Sequence, residues 1–153
     1  MTAMMSIDTN ILFHAVNRSS PKHEAAHAWI SSISRLEDVA LSEFVLAELY
    51  GLLRNPAVTP RPSNAREAVK VIEGYRSHPD WRILSFPERQ RDLHDEVWRM
   101  ARTDGFAFRR LFDIRTGISL RVQGVKEFAT CNVKDFREVG FRKVWDPLKD
   151  SQT

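Results

Sequence analysis

The chain alternates short apolar blocks with longer stretches of helical period. Met4 to Ile7 has the pattern of a short buried strand. It is interrupted by Asp8, Thr9 and Asn10 before apolar residues resume at Ile11, Leu12 and Phe13. Val39–Leu41, Trp81–Phe86 and "EFATC" (127–131) predict three further strands, and "KVWDP" (143–147) is a candidate fifth. Pro21–Ser34 reads as a helix with proline near its first turn. "EFVLAELYGLLRN" (43–55) reads as a helix capped by Ser42 and ending before Pro56. "PAVTPRPSN" is a loop whose Ser63 or Asn64 caps "AREAVKVIEGYRSH" (65–78). Pro87 is expected to open a helix to about Thr103, with Gly105 just past its end. A last helix runs roughly from Arg109 to Val122 and stops at Gly124.

Strands alternating with helices predict an α/β sandwich, with a mainly parallel, short-stranded sheet flanked by helices. In such sheets ligands bind outside the carboxyl ends of the strands, where Asp8 would stand. The chain has 153 residues, so a single domain over 1–153 is expected. With 42% hydrophobic and 28% charged residues, it falls in the ordinary globular range. One cysteine, Cys131, excludes an intramolecular disulfide and fits a cytoplasmic setting. "MTAMMSID" lacks the pattern of a secretory signal. The most apolar segment, "FVLAELYGLL", is interrupted by Glu48 and is far below the ~18 residues of a membrane span.

Four polar positions stand out against this pattern. Asp8 splits two apolar runs. Glu48 sits in the middle of a helix that is apolar nearly all round, which predicts a buried helix with a costly carboxylate; a Glu on one narrow exposed stripe, paired with Arg54, is the alternative. Asp113 lies between Phe112 and Ile114 early in its helix, where the dipole alone would favour an acid. Gly117, four residues on, implies close approach of a ligand or tight helix packing. Asn132 and Asp135 follow the fourth strand, where a turn or helix cap is the plain alternative. Together, Asp8, Glu48, Asp113 and Asp135 can converge at one end of a parallel sheet. Several oxygen donors in one concavity suit Mg²⁺ or Mn²⁺, and a cation would relieve their repulsion.

Net charge is only +3, but arginine is abundant from Arg76 to Arg121. Its planar fork suits phosphate, and solvated helix faces are the alternative use. Arg109, Arg110 and Arg115 lie nearest Asp113 and are the candidate phosphate contacts.

"IDTNILFHA", "LSEFVLAELYGLL", "RRLFDIRTGISLRVQGV" and "FATCNVKDFREVGFRKVWDPL" resemble the successive motifs of PIN-domain proteins. More narrowly, they resemble the VapC toxins of bacterial toxin–antitoxin pairs, from Ser6 to Leu148. The resemblance implies a PIN-like three-layer sandwich and a metal-dependent endoribonuclease using Mg²⁺ or Mn²⁺. By position, Asp8, Glu48 and Asp113 are its first three acids. Some relatives carry the fourth where this chain has Asn132, others where it has Asp135. Asp135 is preferred here, with Asn132 orienting the loop or a water. Thr9 and Asn10 would support Asp8. Relatives often show Asp-Ala and a later Ala in the third motif, where this chain has Asp113-Ile114 and Gly117. A VapB-type antitoxin and a homodimer are the implied partners.

The rival within the fold is a catalytically silent PIN-like binding module, against which all four acids count. A phospho-receiver domain would need paired acids after the first strand, and Ser6 and Ile7 precede a lone Asp8. An aspartyl phosphatase would need an acid where Asn10 stands. The five histidines show no convincing ligand spacing. His23 and His27 share a helix face, but no third ligand accompanies them.

Overall fold

The computed structural model describes residues 3–150; the expected domain limits at 1–2 and 151–153 lie outside them. Five strands and eight helices follow in the order β1 (Met5–Ile7), α1 (Thr9–Val16), α2 (His23–Ile33), β2 (Val39–Ser42), α3 (Glu43–Arg54), α4 (Ala65–Arg76), β3 (Arg82–Leu84), α5 (Gln90–Ala101), α6 (Arg110–Val122), β4 (Glu127–Ala129), α7 (Val133–Phe136), β5 (Lys143–Trp145) and α8 (Pro147–Asp150). The strands form one sheet in the order β3-β2-β1-β4-β5, and all four pairings are parallel.

The central strand β1 is buried along its whole length, as a strand covered on both faces must be. Side chains alternate across the sheet and divide the core in two. Met5, Ile7, Val39, Leu41 and Ala129 face one cluster, completed by Ile11, Leu12, Leu46, Leu49 and Leu148. Ala40 and Phe128 face the other, with Leu93, Val97, Ile114 and Ile118 of α5 and α6. Helices therefore cover both faces, giving the three-layer α/β sandwich. From β1 the chain moves outward through β2 to β3, then crosses back to β4 on the other side of β1. The switch point lies between β1 and β4, where a doubly wound sheet opens a crevice at its carboxyl ends.

Two local expectations, on α3 and α5, are corrected, and two helices, α1 and α7, are added. The resumption of apolar residues after Asn10 is a helix, α1, which buries Ile11, Leu12 and Ala15 on one face. Helix α3 is not buried all round. Ala47, Glu48, Gly51 and Arg54 form an exposed stripe, because only Val45, Leu46, Leu49 and Leu53 reach the core. Helix α5 starts at Gln90 rather than at Pro87. Asp135 lies in a short helix, α7.

Gly117 answers to packing rather than to a ligand. A β-carbon there would stand 3.1 and 3.2 Å from the two methyls of Val139, which is fully buried, and 3.5 Å from the Phe136 ring. Glycine thus lets the α7 region close onto α6 and brings Asp135 toward the helix that carries Asp113.

Candidate active site

Asp8 leaves the end of β1 as the N-cap of α1. In that role its Oδ1 accepts the Thr9 amide at 2.8 Å. Its Oδ2 accepts the Thr130 hydroxyl at 2.7 Å and the Asn10 side-chain amide at 3.3 Å. Strand register places Ile7 opposite Ala129, so the next residues, Asp8 and Thr130, emerge side by side at the switch point. The Asp8 amide bonds the Ala129 carbonyl at 2.9 Å and continues the pairing beyond the strand.

Burial pushes the Asp8 carboxyl up to about 7, although the Thr130 and Thr9 bonds pull it down; the charges of Asp113 and Glu48 raise it further. Asp113, in the first turn of α6 and half-buried, is raised to about 6. Burial is again the largest cause, followed by Glu48 and Asp135, with Arg110 opposing. Asp8, Glu48 and Asp113 therefore lie within range of one another's charge, and Asp135 within range of Asp113, although they come from four separate parts of the chain.

Glu48 rises from the exposed stripe of α3 and takes a 2.5 Å hydrogen bond from the Thr9 hydroxyl. It does not pair with Arg54, which donates to the Tyr50 hydroxyl instead. Thr9 thus ties the second acid to the residue after the first. Asn10 makes a matching link on the other side: its amide reaches Asp8, and its oxygen accepts the Cys131 N–H at 3.2 Å. Asn132 acts through its backbone. Its N–H donates to the Thr130 hydroxyl at 2.9 Å, and its carbonyl accepts the Asp135 N–H at 3.0 Å.

The three candidate arginines take different places. Arg110 donates to the Asp135 carbonyl at 3.1 Å and lies over the Phe106 ring, so it braces α7 while offsetting Asp113. Arg109 is exposed and lies over Phe108. Arg115 packs among Phe44, Phe86 and Phe112. Elsewhere Arg89 and Arg91 lie on a solvated helix face, paired with Asp92 and Asp95, while partly buried Arg121 bridges α6 to Glu96 of α5.

Thr130 is the site residue that sequence reasoning passed over. Its signal was a hydroxyl near the end of a predicted strand, but its role depends on β4 lying beside β1. Fully buried, it joins Asp8 to the Asn132 backbone. Thr130→Val is expected to lower stability by about 1–3 kcal/mol at pH 8, because it leaves a buried carboxylate oxygen short of a donor. Thr130→Ser should restore it. Thermal melts of the three proteins check this, and equal melting of the valine variant would refute it. A second buried acid, Asp146, follows β5 and accepts the Leu148 amide at 2.9 Å, closing the turn into α8. Burial, then Asp146, pushes the Cys131 thiol up to about 11, so it stays protonated and is no nucleophile. On the α7 side, a cleft of about 580 Å³ is bordered by Asn132, Asp135 and Asp146 together with Lys134, Arg137 and Lys149.

The donor set is all oxygen, which suits a hard divalent cation. Among the described residues, no three His, Cys, Asp or Glu side chains converge as a ready-made ligand set. Mg²⁺ is commonly held by one or two carboxylates with water filling the remaining positions, so the arrangement fits that class of ion.

A PIN domain family model matches residues 5–116, a stretch that includes Asp8, Glu48 and Asp113 and ends before Asn132 and Asp135. The chain is 46% identical over 145 residues to Ribonuclease VapC24 of Mycobacterium tuberculosis (strain H37Rv), covering 95% of this chain and 97% of that protein. Among solved structures, FitAcB from Neisseria gonorrhoeae is similar at a TM-score of 0.65 and 26% identity, covering 94% of this chain and 98% of that one. VapC20 of Mycobacterium tuberculosis, described as a Sarcin-Ricin loop cleaving toxin, shares the fold at a TM-score of 0.66 and 22% identity, covering 90% of this chain and 95% of that one.

Proposed function

This chain belongs to the PIN-domain family, and from that premise we propose that it is a divalent-metal-dependent endoribonuclease, the toxin of a VapBC-type toxin–antitoxin pair. The observation that carries the reading is the placement of Asp8 at the β1–β4 switch point, within range of the Asp113 and Glu48 charges, with Asp135 within range of Asp113. Nearly full-length similarity to a protein named as a ribonuclease supports RNA as the substrate.

Asp8 and Asp113 would hold Mg²⁺ or Mn²⁺, with Glu48 and Asp135 completing the shell directly or through water. When bound, such an ion acidifies water and offsets charge on the phosphate and leaving group of single-stranded or looped RNA. The chain's own residues supply the rest. Thr130, Thr9 and Asn10 keep Asp8 in one rotamer. Thr9 also keeps Glu48 turned toward the site. Arg110 holds α7 and hence Asp135. Arg109, on the exposed start of α6, is placed to meet the RNA backbone. Asp135, not Asn132, is the fourth acid: its charge reaches Asp113, while Asn132 is engaged through its backbone.

A VapB-type antitoxin and a second copy of the chain are the partners in this reading, which family membership supports. No described helix is long and apolar enough to cross a membrane, and the toxin is assigned to the cytoplasm.

The test is to incubate RNA with wild-type protein and Asp8→Ala, with Mg²⁺, with Mn²⁺ and with chelator, and to map the new RNA ends. Discrete ends are expected only for wild type with metal. Wild type that leaves RNA intact with either ion present sinks the nuclease reading and leaves the silent binding module.

A further inference from the structure

An aromatic cluster lies between α3 and α6, the helices that carry Glu48 and Asp113. Phe112 and Arg115 lie one residue before and two after Asp113, and they share a face of α6 at a spacing of three. Phe44 lies one turn before Glu48 on α3, so it stands on the same side of that helix as the second acid. Phe86, after β3, meets Phe44 edge to face at 4.6 Å between centroids. The Arg115 guanidinium joins the group, 5.1 Å from the Phe44 centroid, 5.4 Å from Phe112 and 5.7 Å from Phe86. Its Nε is buried without a hydrogen-bond partner. Phe112 remains 59% exposed and Phe86 36%.

Ring and cation contacts hold the cluster together, and two of its rings, Phe112 and Phe86, face solvent. A fixed aromatic face with a cation packed against it is what an unpaired nucleobase stacks on, with its phosphates drawn to the charge. A base within a duplex is already covered on both faces and cannot use it. We infer that Phe112, backed by Arg115, Phe44 and Phe86, seats an unpaired nucleobase next to the phosphate being cut. The inference rests on the nuclease reading above and adds a physical reason for preferring single-stranded or looped RNA. Stacking tolerates any base, so the seat positions the strand without reading its sequence.

The probe is a short, fluorescein-labelled, single-stranded oligoribonucleotide of mixed sequence, alone and annealed to its complement, bound in chelator so that nothing is cut. Phe112→Ala is expected to weaken single-strand binding about tenfold, while Phe112→Trp keeps it. With Mg²⁺, Phe112→Ala should raise KM and leave kcat within about twofold, the mark of lost binding shared by ground and transition states. A 2-aminopurine base in the strand should lose fluorescence on wild type and keep it on Phe112→Ala. Melting temperatures of the variants should match wild type, because the ring is exposed. Unchanged binding and KM for Phe112→Ala, or equal affinity for the duplex, overturns the seat even if wild type cuts RNA. So does a loss confined to antitoxin binding, which would assign the cluster to a protein partner. Wild type that neither binds nor cuts RNA overturns the seat together with the nuclease reading.

Discussion

Asp113→Ala is expected to reduce metal-dependent RNA cleavage by about a thousandfold or more, equivalent to about 4 kcal/mol of barrier. Asp8→Ala should do the same. Each removes a donor that a hard cation needs, and Asp113 alone senses Glu48, Asp135 and Arg110. Folding should survive, because ionised Asp113 is disfavoured by burial and by its acidic neighbours, and alanine relieves that cost. The same measurement ranks the fourth motif. Asp135→Ala should fall by about a hundredfold, while Asn132→Ala stays within about fivefold, because a side-chain deletion leaves Asn132's backbone bonds in place. Single-turnover cleavage with melting curves decides both points. Wild-type rates for Asp113→Ala would remove this acid from the mechanism, and a larger loss at Asn132 would reverse the assignment of the fourth position.

The second large effect is on stability. In the unfolded chain Asp8 ionises near 3.8, and in the folded protein near 7, with burial as the main cause. Between those values the folded state binds a proton that the unfolded state has lost. Raising the pH through that window therefore favours unfolding, and above about 7 both states are ionised and the loss is complete. The rise corresponds to about 4 kcal/mol. Asp113 shifts in the same direction. The metal-free protein should melt at a higher temperature at pH 5 than at pH 8. Mg²⁺ or Mn²⁺ should raise melting more at pH 8, where the acids it binds are charged. Asp8→Asn should be more stable than wild type at pH 8 in chelator and should flatten the pH dependence. Melting scans across this range, with and without metal, give the answer; a wild-type curve that stays level or rises from pH 5 to 8 in chelator contradicts it.

Much of this site could be read along the chain, because its acids break the local pattern that surrounds them. Asp8 interrupts two apolar runs, Glu48 stands in an otherwise apolar helix, and Asp113 follows an aromatic residue at a helix start. The strand–helix alternation carried the parallel sandwich for a similar reason: periods of two and 3.6 are local properties of the sequence. Reading failed where a long-range contact overrode the local signal. Helix α1 is not assigned from the sequence because eight residues after a capping Asp carry too short a pattern to show a period until Ile11, Leu12 and Ala15 find their core. Helix α3 seemed uniformly apolar because its exposed stripe includes Ala47 and Gly51, whose small side chains give no polar signal.

By itself, then, the sequence determined which acids are present, that each breaks the local apolar pattern, and that the strands alternate with helices. Only the tertiary structure decided that β4 lies beside β1, so that Thr130 holds Asp8, and that Glu48 turns outward to Thr9. It also decided that Gly117 admits Val139, bringing Asp135 toward Asp113. Strand order and helix closure are set by burying two cores on opposite faces of one sheet. That balance is summed over the whole chain, and no single motif contains it.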